Sequence, residues 1–256
     1  MKAVILAGGL GTRLSEETQV KPKPMVIIGK DPILWHIIRI FALYNIDEFI
    51  ICCGYKSEFI EDYFINKLPI KGKKISRSHK GDIILELQGD LKIKIILAKT
   101  GKETPTAGRL LRIRDYLKNS SEFLMTYGDG LADIDINKLI NHHSIQNKLV
   151  TVTAVHPPPR WGSLVIKGND VIDIHEKFSN QGDRINGGFF VISIEALDFI
   201  ENENFHWERE PLRKLAISNQ LSAFIHDGFW YPMDTLREKD YLNQLVNEKK
   251  ATWIKW

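Results

Sequence analysis

The sequence predicts a doubly wound α/β fold, in which a largely parallel sheet lies between two layers of helices. The first observation is a short apolar run over residues 2–7, typical of a strand that is buried on both faces. The second is a helical spacing of apolar residues from Ile33 to Phe41. The third is another apolar run over residues 48–53, followed by a helical pattern over 57–67. This alternation favours parallel strands joined by helical crossovers.

The first helix is expected to begin at Asp31-Pro32, with Asp31 as the N-cap and Pro32 at the first helical position. Residues 82–99 interrupt the alternation, because two apolar runs flank Gln88-Gly89-Asp90 and so predict a hairpin or an edge ribbon. The remaining predicted helices cover 106–118, 208–218 and 236–248, and the remaining predicted strands cover 123–127, 149–155, 164–166, 171–175 and 189–194. The pattern contains no linker, so we expect one domain over residues 1–256.

The composition is that of an ordinary globular protein, with 43% hydrophobic and 26% charged residues. A formal net charge of +3 without a long basic run argues against a nucleic-acid partner. No apolar run approaches the ~20 residues that span a bilayer, and no signal peptide is recognisable, so we expect a cytoplasmic protein without a membrane partner. The only two cysteines, Cys52 and Cys53, are adjacent on a predicted strand and therefore point to opposite faces, as reduced thiols.

A glycine-rich segment, Leu6-Ala7-Gly8-Gly9-Leu10-Gly11-Thr12-Arg13, follows the first strand directly. Glycine allows backbone N–H groups to approach phosphate oxygens closely, and Arg13 adds a planar donor suited to phosphate. A tight glycine turn without a ligand is the simpler alternative. The segment lacks the Gly-Lys-Ser/Thr ending of a Walker A loop and the third glycine of a dinucleotide fingerprint.

Lys21-Pro22-Lys23-Pro24 lies a few residues beyond this segment. Each residue before a proline is restricted to extended geometry, so the helix that a nicotinamide-binding fold needs here cannot form. A lysine held on such a stiff segment can neutralise the charge of a reacting phosphate, although a solvated lysine is the simpler alternative for either position.

These motifs resemble the opening of the sugar nucleotidyltransferases, also called nucleotide-sugar pyrophosphorylases. The resemblance covers almost the whole chain, and only residues 68–90 match poorly. It is carried by Leu6-Ala-Gly-Gly-Leu-Gly-Thr-Arg-Leu14 with Lys21-Pro-Lys-Pro-Met25, Thr106-Ala-Gly-Arg-Leu110, Tyr127-Gly-Asp-Gly130, Ile185-Asn-Gly-Gly-Phe-Phe190, Trp207-Glu-Arg-Glu-Pro-Leu212 and Gly228-Phe-Trp-Tyr-Pro-Met-Asp-Thr-Leu236. It implies a Rossmann-like mixed sheet of the nucleotide-diphospho-sugar transferase type, with an inserted hairpin and sugar-binding segments.

The resemblance also implies a division of labour along the chain. Residues 1–130 would bind the nucleotide, 131–235 the sugar, and 236–256 would form a C-terminal helix and tail. Arg13 and Lys23 would be catalytic, and Lys23 would also bind the nucleotide. The other implied nucleotide contacts are Leu6, Ala7, Gly8, Gly9, Leu10, Gly11, Thr12, Arg13, Thr104, Arg109 and Gly128. From the residues alone, Thr104 could equally be a polar loop residue and Arg109 a helix-surface arginine.

Two carboxylates, Asp129 and Asp234, would hold Mg²⁺ by the same resemblance, which suits a hard cation. Their alternatives from the residues alone are a turn former for Asp129 and a helix N-cap for Asp234. The implied sugar-phosphate contacts are Gly162, Glu176, Lys177, Asn186 and Gly187. Phe178 stands where the family usually has a proline after its Glu-Lys pair.

The blocks are most similar to those of family members that use CTP and glucose 1-phosphate, and the same chemistry with dTTP, UTP or another sugar phosphate is the nearest alternative. A nucleotide-sensing relative without activity is a second alternative. The resemblance further implies a homo-oligomer, for which a hexamer is one arrangement, and a product used for lipopolysaccharide O-antigen synthesis. Away from these blocks, His142-His143 is expected to be a solvated pair, and Trp253 and Trp256 to cover a core edge or a subunit contact.

Overall fold

The computed structural model describes residues 1–9, 20–70, 72–89, 91–158, 163–167, 170–175 and 184–256. Its strands are β1 Lys2–Leu6, β2 Ile27–Ile28, β3 Asp31–Pro32, β4 Glu48–Cys53, β5 Lys73–Arg77, β6 Ile83–Gln88, β7 Lys92–Lys99, β8 Glu122–Tyr127, β9 Gly130–Ala132, β10 Val150–Val155, β11 Ser163–Lys167, β12 Asp170–His175, β13 Ile185–Ser193, β14 Leu221–His226 and β15 Trp230–Pro232. Its α-helices are α1 Ile33–Ala42, α2 Ser57–Asp62, α3 Thr106–Arg112, α4 Arg114–Leu117, α5 Ile136–Gln146, α6 Glu210–Ile217 and α7 Leu236–Asn247.

Nine of the described strands form one mixed sheet in the order β14, β10, β13, β8, β1, β4, β7, β6, β5. The central strands β8, β1, β4 and β7 are parallel. Strand β13 runs antiparallel to its neighbours β8 and β10, and β6 and β5 continue the other side as antiparallel strands. The predicted doubly wound mixed sheet is therefore confirmed.

The sheet separates two hydrophobic cores, as the alternation along β1 illustrates. Ala3 and Ile5 contribute to the core under α1, α2, α5 and α7, whereas Val4 and Leu6 contribute to the core under α3, α4 and α6. All four side chains are buried, because β1 has a parallel strand on each side and helices on both faces.

The predicted start of the first helix is wrong. Asp31–Pro32 forms β3, which pairs with β2 across a turn in which Gly29 has φ 65°. Helix α1 begins at Ile33, and its cap residue Pro32 is extended, with no side-chain cap. The N–H of Ile33 donates to the carbonyl of Val26 at 2.9 Å, so the hairpin replaces the cap that Asp31 was expected to supply.

The hairpin predicted over residues 82–99 is confirmed as β6 and β7, and β7 is also the parallel neighbour of β4. The sequence did not reveal β5, which pairs with β6 as the last strand of the sheet. Most of β5 is exposed, so it lacks the alternation of apolar and polar residues that identifies a half-buried strand.

The histidine pair in α5 differs from expectation. His143 is only 4% exposed, and its Nδ1 lies 2.8 Å from the hydroxyl of Thr151. The predicted solvated pair is therefore wrong at this position. Cys52 and Cys53 are buried, free, and in opposite cores, as predicted. Within the described ranges, no helix is both long and apolar enough to span a bilayer.

Candidate active site

A cleft with a volume of about 350 Å³ opens where β1 and β8 end. Ligands of open α/β sheets bind at the carboxyl ends of the parallel strands. The backbone N–H of Gly128 donates to the carbonyl of Leu6 at 3.1 Å and so joins the loops that follow these two strands. The cleft is lined by Leu6, Ala7, Gly8, Gly9, Lys23, Pro24, Thr104, Pro105, Thr106, Arg109, Tyr127, Gly128, Asp129, His206 and Asp234.

The described part of the glycine-rich segment, residues 6–9, lines the cleft, and its contact with a nucleotide stays a prediction. A Cβ on Gly8 would collide with the guanidinium of Arg109, so only glycine fits there. A Cβ on Gly9 would have no atom of the described residues within 4 Å. The predicted contacts Leu10, Gly11, Thr12 and Arg13 lie outside the described residues.

Arg109 is buried beneath this segment, with 3% of its surface exposed. Its guanidinium donates to the carbonyls of Gly8 at 2.8 Å, Gly101 at 2.9 Å and Cys53 at 3.3 Å, and to the hydroxyl of Thr100 at 2.7 Å. The alternative of a helix-surface arginine is therefore wrong. Arg109 joins the loops that follow β1, β4 and β7, and its contact with a nucleotide stays a prediction.

Lys23 lies at the start of a 3-10 turn, Lys23–Met25, and is 8% exposed. Its Nζ donates to Asp129 Oδ2 at 2.6 Å and to Asp234 Oδ1 at 2.6 Å. Burial lowers the pKa of Lys23, but the two carboxylates outweigh it and leave this pKa above its usual range. The ammonium is therefore charged, and the alternative of a solvated lysine is wrong.

The two aspartates meet because β9 and β15 pair. Gly130 lies opposite Pro232 in this antiparallel ladder, and the N–H of Met233 donates to the carbonyl of Asp129 at 2.8 Å. Asp129 and Asp234 flank the ladder, so each carboxylate reaches the same ammonium.

Asp234 is not the N-cap of α7. The cap is Thr235, whose side chain forms a capping box with Glu238. The backbone N–H of Asp234 donates to the Glu238 carboxylate at 2.6 Å, which fixes the backbone just before the helix. The side chain of Asp234 therefore faces the cleft.

These carboxylates have the donor chemistry that Mg²⁺ prefers. Both are partly accessible from the cleft, with 35% of the Asp129 side chain and 17% of the Asp234 side chain exposed. Magnesium is usually held by one or two carboxylates together with substrate phosphates and waters. The residues present therefore fit a magnesium ion that arrives beside a phosphate chain.

The predicted sugar contacts are only partly described. The side-chain amide of Asn186 donates to the hydroxyl of Tyr127 at 3.3 Å, and its oxygen accepts from the N–H of Gly188 at 2.9 Å. The carbonyl of Gly187 accepts from the indole of Trp230 at 2.7 Å. Asn186 is thus tied to a residue that lines the cleft. Gly162, Glu176 and Lys177 lie outside the described residues.

Thr104 and Gly128 line the cleft, and the hydroxyl of Thr104 accepts from Arg112 at 2.7 Å. Their contact with a nucleotide stays a prediction. Sequence reasoning assigned no role to Tyr127, Thr106 or His206, although each lines the cleft. Their signal was present, because Tyr127 and Thr106 begin blocks of the family resemblance and His206 directly precedes another. Burial and a hydrogen bond to Glu208 raise the pKa of Tyr127 well above its usual range, so its hydroxyl keeps its proton.

Comparisons with known proteins identify the family of the chain. The sequence model of the Nucleotidyl transferase family matches residues 2–244. The chain is 46% identical to the glucose-1-phosphate cytidylyltransferase of Salmonella typhimurium and 39% identical to the probable glucose-1-phosphate cytidylyltransferase of Bacillus subtilis, in both cases with full coverage of both chains.

Solved structures support the fold. HddC from Yersinia pseudotuberculosis complexed with GMP-PN has a TM-score of 0.69 at 24% identity, with 96% of this chain and 99% of that chain covered. A putative glucose-1-phosphate thymidylyltransferase from Bacillus anthracis has a TM-score of 0.67 at 19% identity, with 100% of this chain and 97% of that chain covered. The chain belongs to the nucleotidyl transferase family.

Proposed function

We propose that this protein transfers CMP from CTP to glucose 1-phosphate and releases CDP-glucose and pyrophosphate. The observation that carries the proposal is the cluster of Lys23, Asp129 and Asp234 in the cleft, where one ammonium contacts two carboxylates at 2.6 Å each. The full-length similarity to named glucose-1-phosphate cytidylyltransferases supports the choice of both substrates.

The reaction needs no general base, because the phosphate of the sugar is already ionised at neutral pH. One of its oxygens attacks the α-phosphorus of CTP in line. A new P–O bond forms there, and the bond from the α-phosphorus to the bridging oxygen breaks as pyrophosphate leaves with its electron pair. Catalysis then depends on holding two anions in line and on neutralising the charge that develops on the leaving group.

The residues of this chain divide that work. The backbone N–H groups around Gly8 and Gly9, with Arg13, would hold the β- and γ-phosphates. Lys23 would place its positive charge at the phosphate chain. Asp129 and Asp234 would hold Mg²⁺, which supplies charge neutralisation at the phosphates when bound.

The sugar side of the proposal uses four further residues. Lys177 would hold the phosphate of glucose 1-phosphate beside the nucleotide, and Glu176 would accept from a sugar hydroxyl. Asn186 and Gly187 follow at the start of β13, and Asn186 bonds to Tyr127 on the wall of the cleft. The two substrates would therefore meet beside Asp129.

Pyrophosphate release tests the substrate pair. The protein would be incubated with glucose 1-phosphate and Mg²⁺ and given CTP, UTP, dTTP, ATP or GTP in parallel. We expect release with CTP well above that with the other four. Release with another nucleotide would refute the proposed base, and no release with any nucleotide across a panel of sugar phosphates would refute the enzymatic function.

Replacing Asp129 tests the metal ligands. Asp129→Asn removes one negative charge from the pair that would hold Mg²⁺, so turnover should fall by at least about 10³-fold, within the range of lost charge stabilisation. Circular dichroism and thermal melting should show a folded protein. The matched control is Asp198→Asn, which changes an exposed partner of Arg114 and should keep full activity. Normal turnover of folded Asp129→Asn protein would contradict the ligand assignment.

Assembly into a homo-oligomer and use of the product in lipopolysaccharide O-antigen synthesis complete the proposal. Both come from the family resemblance. Sedimentation velocity of the purified protein tests the first, since a species of 29.4 kDa alone would contradict it.

A further inference from the structure

The cluster of Lys23, Asp129 and Asp234 already contains one cation without a metal ion. One ammonium contacts two carboxylates at 2.6 Å each, and only 10% of the lysine side chain is exposed. A pair of partly buried carboxylates so close together needs a cation between them. Among the residues that the structure describes, Lys23 is a cation in contact with both carboxylates.

A divalent ion that binds Asp129 and Asp234 needs the same oxygens that Lys23 now contacts. An ammonium and a metal ion at adjacent positions repel each other, and this repulsion is strong in a partly buried site. Either the ammonium moves away or the metal ion binds weakly. The position of Lys23 therefore opposes a metal ion that arrives on its own.

The side chain of Lys23 can move without moving the backbone. Its neighbours Pro22 and Pro24 are buried and fix the main chain, and the N–H of Met25 donates to the carbonyl of Pro22 at 2.8 Å. The ammonium itself is carried by a flexible four-carbon stem. Lys23, Gly8 and Gly9 line the same cleft, so a phosphate held by the glycines would share that cleft with the ammonium.

We propose that Lys23 is the resident counter-ion of the metal site, and that a divalent cation binds Asp129 and Asp234 tightly only when a nucleoside triphosphate draws the ammonium onto its phosphates. This inference rests on the proposed function, because it takes the two aspartates as the metal ligands. The same lysine thereby neutralises the two carboxylates before the nucleotide binds and the phosphates after it binds. Metal and nucleotide consequently bind with strong positive coupling.

Binding of Mn²⁺ to the whole protein tests the coupling directly. Free Mn²⁺ would be measured by electron paramagnetic resonance at rising metal concentration, with no nucleotide and with saturating CTP but no sugar phosphate. Without CTP, wild-type protein should bind Mn²⁺ weakly. With CTP, its affinity for Mn²⁺ should be at least about tenfold higher than the binding of Mn²⁺ to CTP alone accounts for. Equal and tight binding of Mn²⁺ with and without CTP would overturn the proposal.

Variants of Lys23 separate charge from shape. Lys23→Met removes the ammonium and keeps the length of the stem, so this variant should bind Mn²⁺ without CTP about tenfold or more tightly than wild type does. Lys23→Arg keeps a cation and should bind Mn²⁺ weakly without CTP. The matched control is Lys30→Met, which removes one exposed positive charge at the turn between β2 and β3 and should leave Mn²⁺ binding unchanged. An unchanged affinity of folded Lys23→Met protein would refute the role of the lysine.

Two further measurements keep this inference separate from the proposed function. The double variant Lys23→Met with Asp129→Asn should lose the added Mn²⁺ affinity, which assigns that affinity to the aspartates. Thermal melting provides a reading if Lys23→Met folds poorly, because Mn²⁺ should then raise its melting temperature more than that of wild type. If wild type binds no Mn²⁺ even with CTP, the assignment of Asp129 and Asp234 as metal ligands is refuted. If Mn²⁺ binds tightly without CTP while the enzyme is active, only the counter-ion role fails.

Discussion

Arg109 joins three loops of the cleft through one buried side chain. It donates to the carbonyls of Gly8, Cys53 and Gly101, which follow or end β1, β4 and β7. A planar guanidinium with five N–H donors can satisfy several carbonyls at once, which a lysine cannot do in the same geometry. Burial lowers the pKa of Arg109, yet arginine stays charged at any ordinary pH, so its positive charge persists beside the cleft.

We expect Arg109→Met to lower the free energy of unfolding by about 2–4 kcal/mol, because it removes the buried charged donor that the carbonyls of Gly8, Cys53 and Gly101 share. Urea denaturation followed by fluorescence would measure the change. Arg114→Met is the control, since Arg114 is exposed and forms a surface ion pair with Asp198, so its loss should cost about 1 kcal/mol or less. Equal costs for the two variants would contradict the bridging role.

The sequence could nominate single residues of the site but not their contacts. Lys23 was recognisable because two prolines flank it, although it begins a 3-10 turn and not an extended segment, since Pro22 is the extended residue. Asp129 was recognisable because it follows a buried strand. Their meeting with Asp234 depends on the pairing of β9 with β15, two three-residue strands whose patterns are too short to read. The burial of Arg109 could not be predicted either, because most of its partners are backbone carbonyls, which the spacing of side chains does not reveal.

Strand β4 carries both cysteines in the middle of the sheet, between β1 and β7. Burial raises the pKa of the Cys52 thiol to about 12 and that of the Cys53 thiol further still. The thiolate is the reactive form, so each thiol is protected both by the lack of access and by the lack of charge. Strand β4 pairs in parallel with β1 on one side and β7 on the other, so exposing its thiols breaks the central parallel pairs.

Thiol labelling should therefore report on global unfolding. At pH 8, a disulfide reagent such as DTNB should modify neither cysteine of the native protein, while the guanidinium-unfolded chain should react at both. In intermediate urea the labelling rate should follow the unfolding equilibrium measured by circular dichroism. Rapid labelling of native protein at one thiol would show that β4 opens separately.

At the level of elements, strong patterns were reliable and weak ones were not. Buried strands β1 and β4 and the apolar stripe of α1 are continuous in the sequence, so the parallel centre of the sheet could be predicted. The exposed strand β5 could not, because four of its five residues are exposed and no apolar stripe marks it. The start of α1 was misplaced because backbone pairing between β2 and β3 competed with a side-chain cap.

Across the whole molecule, the C-terminal tail closes over the first helix. Trp253 is 1% exposed, stacks on Phe229 with 5.1 Å between ring centroids, and lies within hydrogen-bond reach of His36, with 3.4 Å between Trp253 Nε1 and His36 Nδ1. The expected cover of a core edge is confirmed for this residue. Trp256, by contrast, is 37% exposed and lies over Arg39. The tail thus joins residues 217 positions apart in the chain.

This junction makes stability depend on pH, because His36 is buried in its neutral form. Its Nε2 lies 2.9 Å from the carbonyl of Ile28, so a proton on Nε2 donates there and leaves Nδ1 to accept from Trp253. A second proton on Nδ1 would face the indole N–H. Burial lowers the pKa of His36 from its ordinary 6.5, and burial lowers that of His143 as well. Below pH 6.5, the ordinary pKa of histidine, the unfolded chain therefore binds more protons than the native protein.

The free energy of unfolding should accordingly keep its full value above pH 6.5. It should fall as the pH drops from 6.5 towards about 5, before carboxylates begin to titrate. Urea denaturation at half-unit steps of pH would measure this slope. His36→Gln keeps one donor and one acceptor but no titration, so it should reduce the slope and leave the share of His143. His79→Gln, at an exposed turn position, should not change it. A slope that is the same for wild type and His36→Gln would show that the tail junction tolerates a charged ring, and that the Trp253 contact adds nothing to the preference for the neutral form.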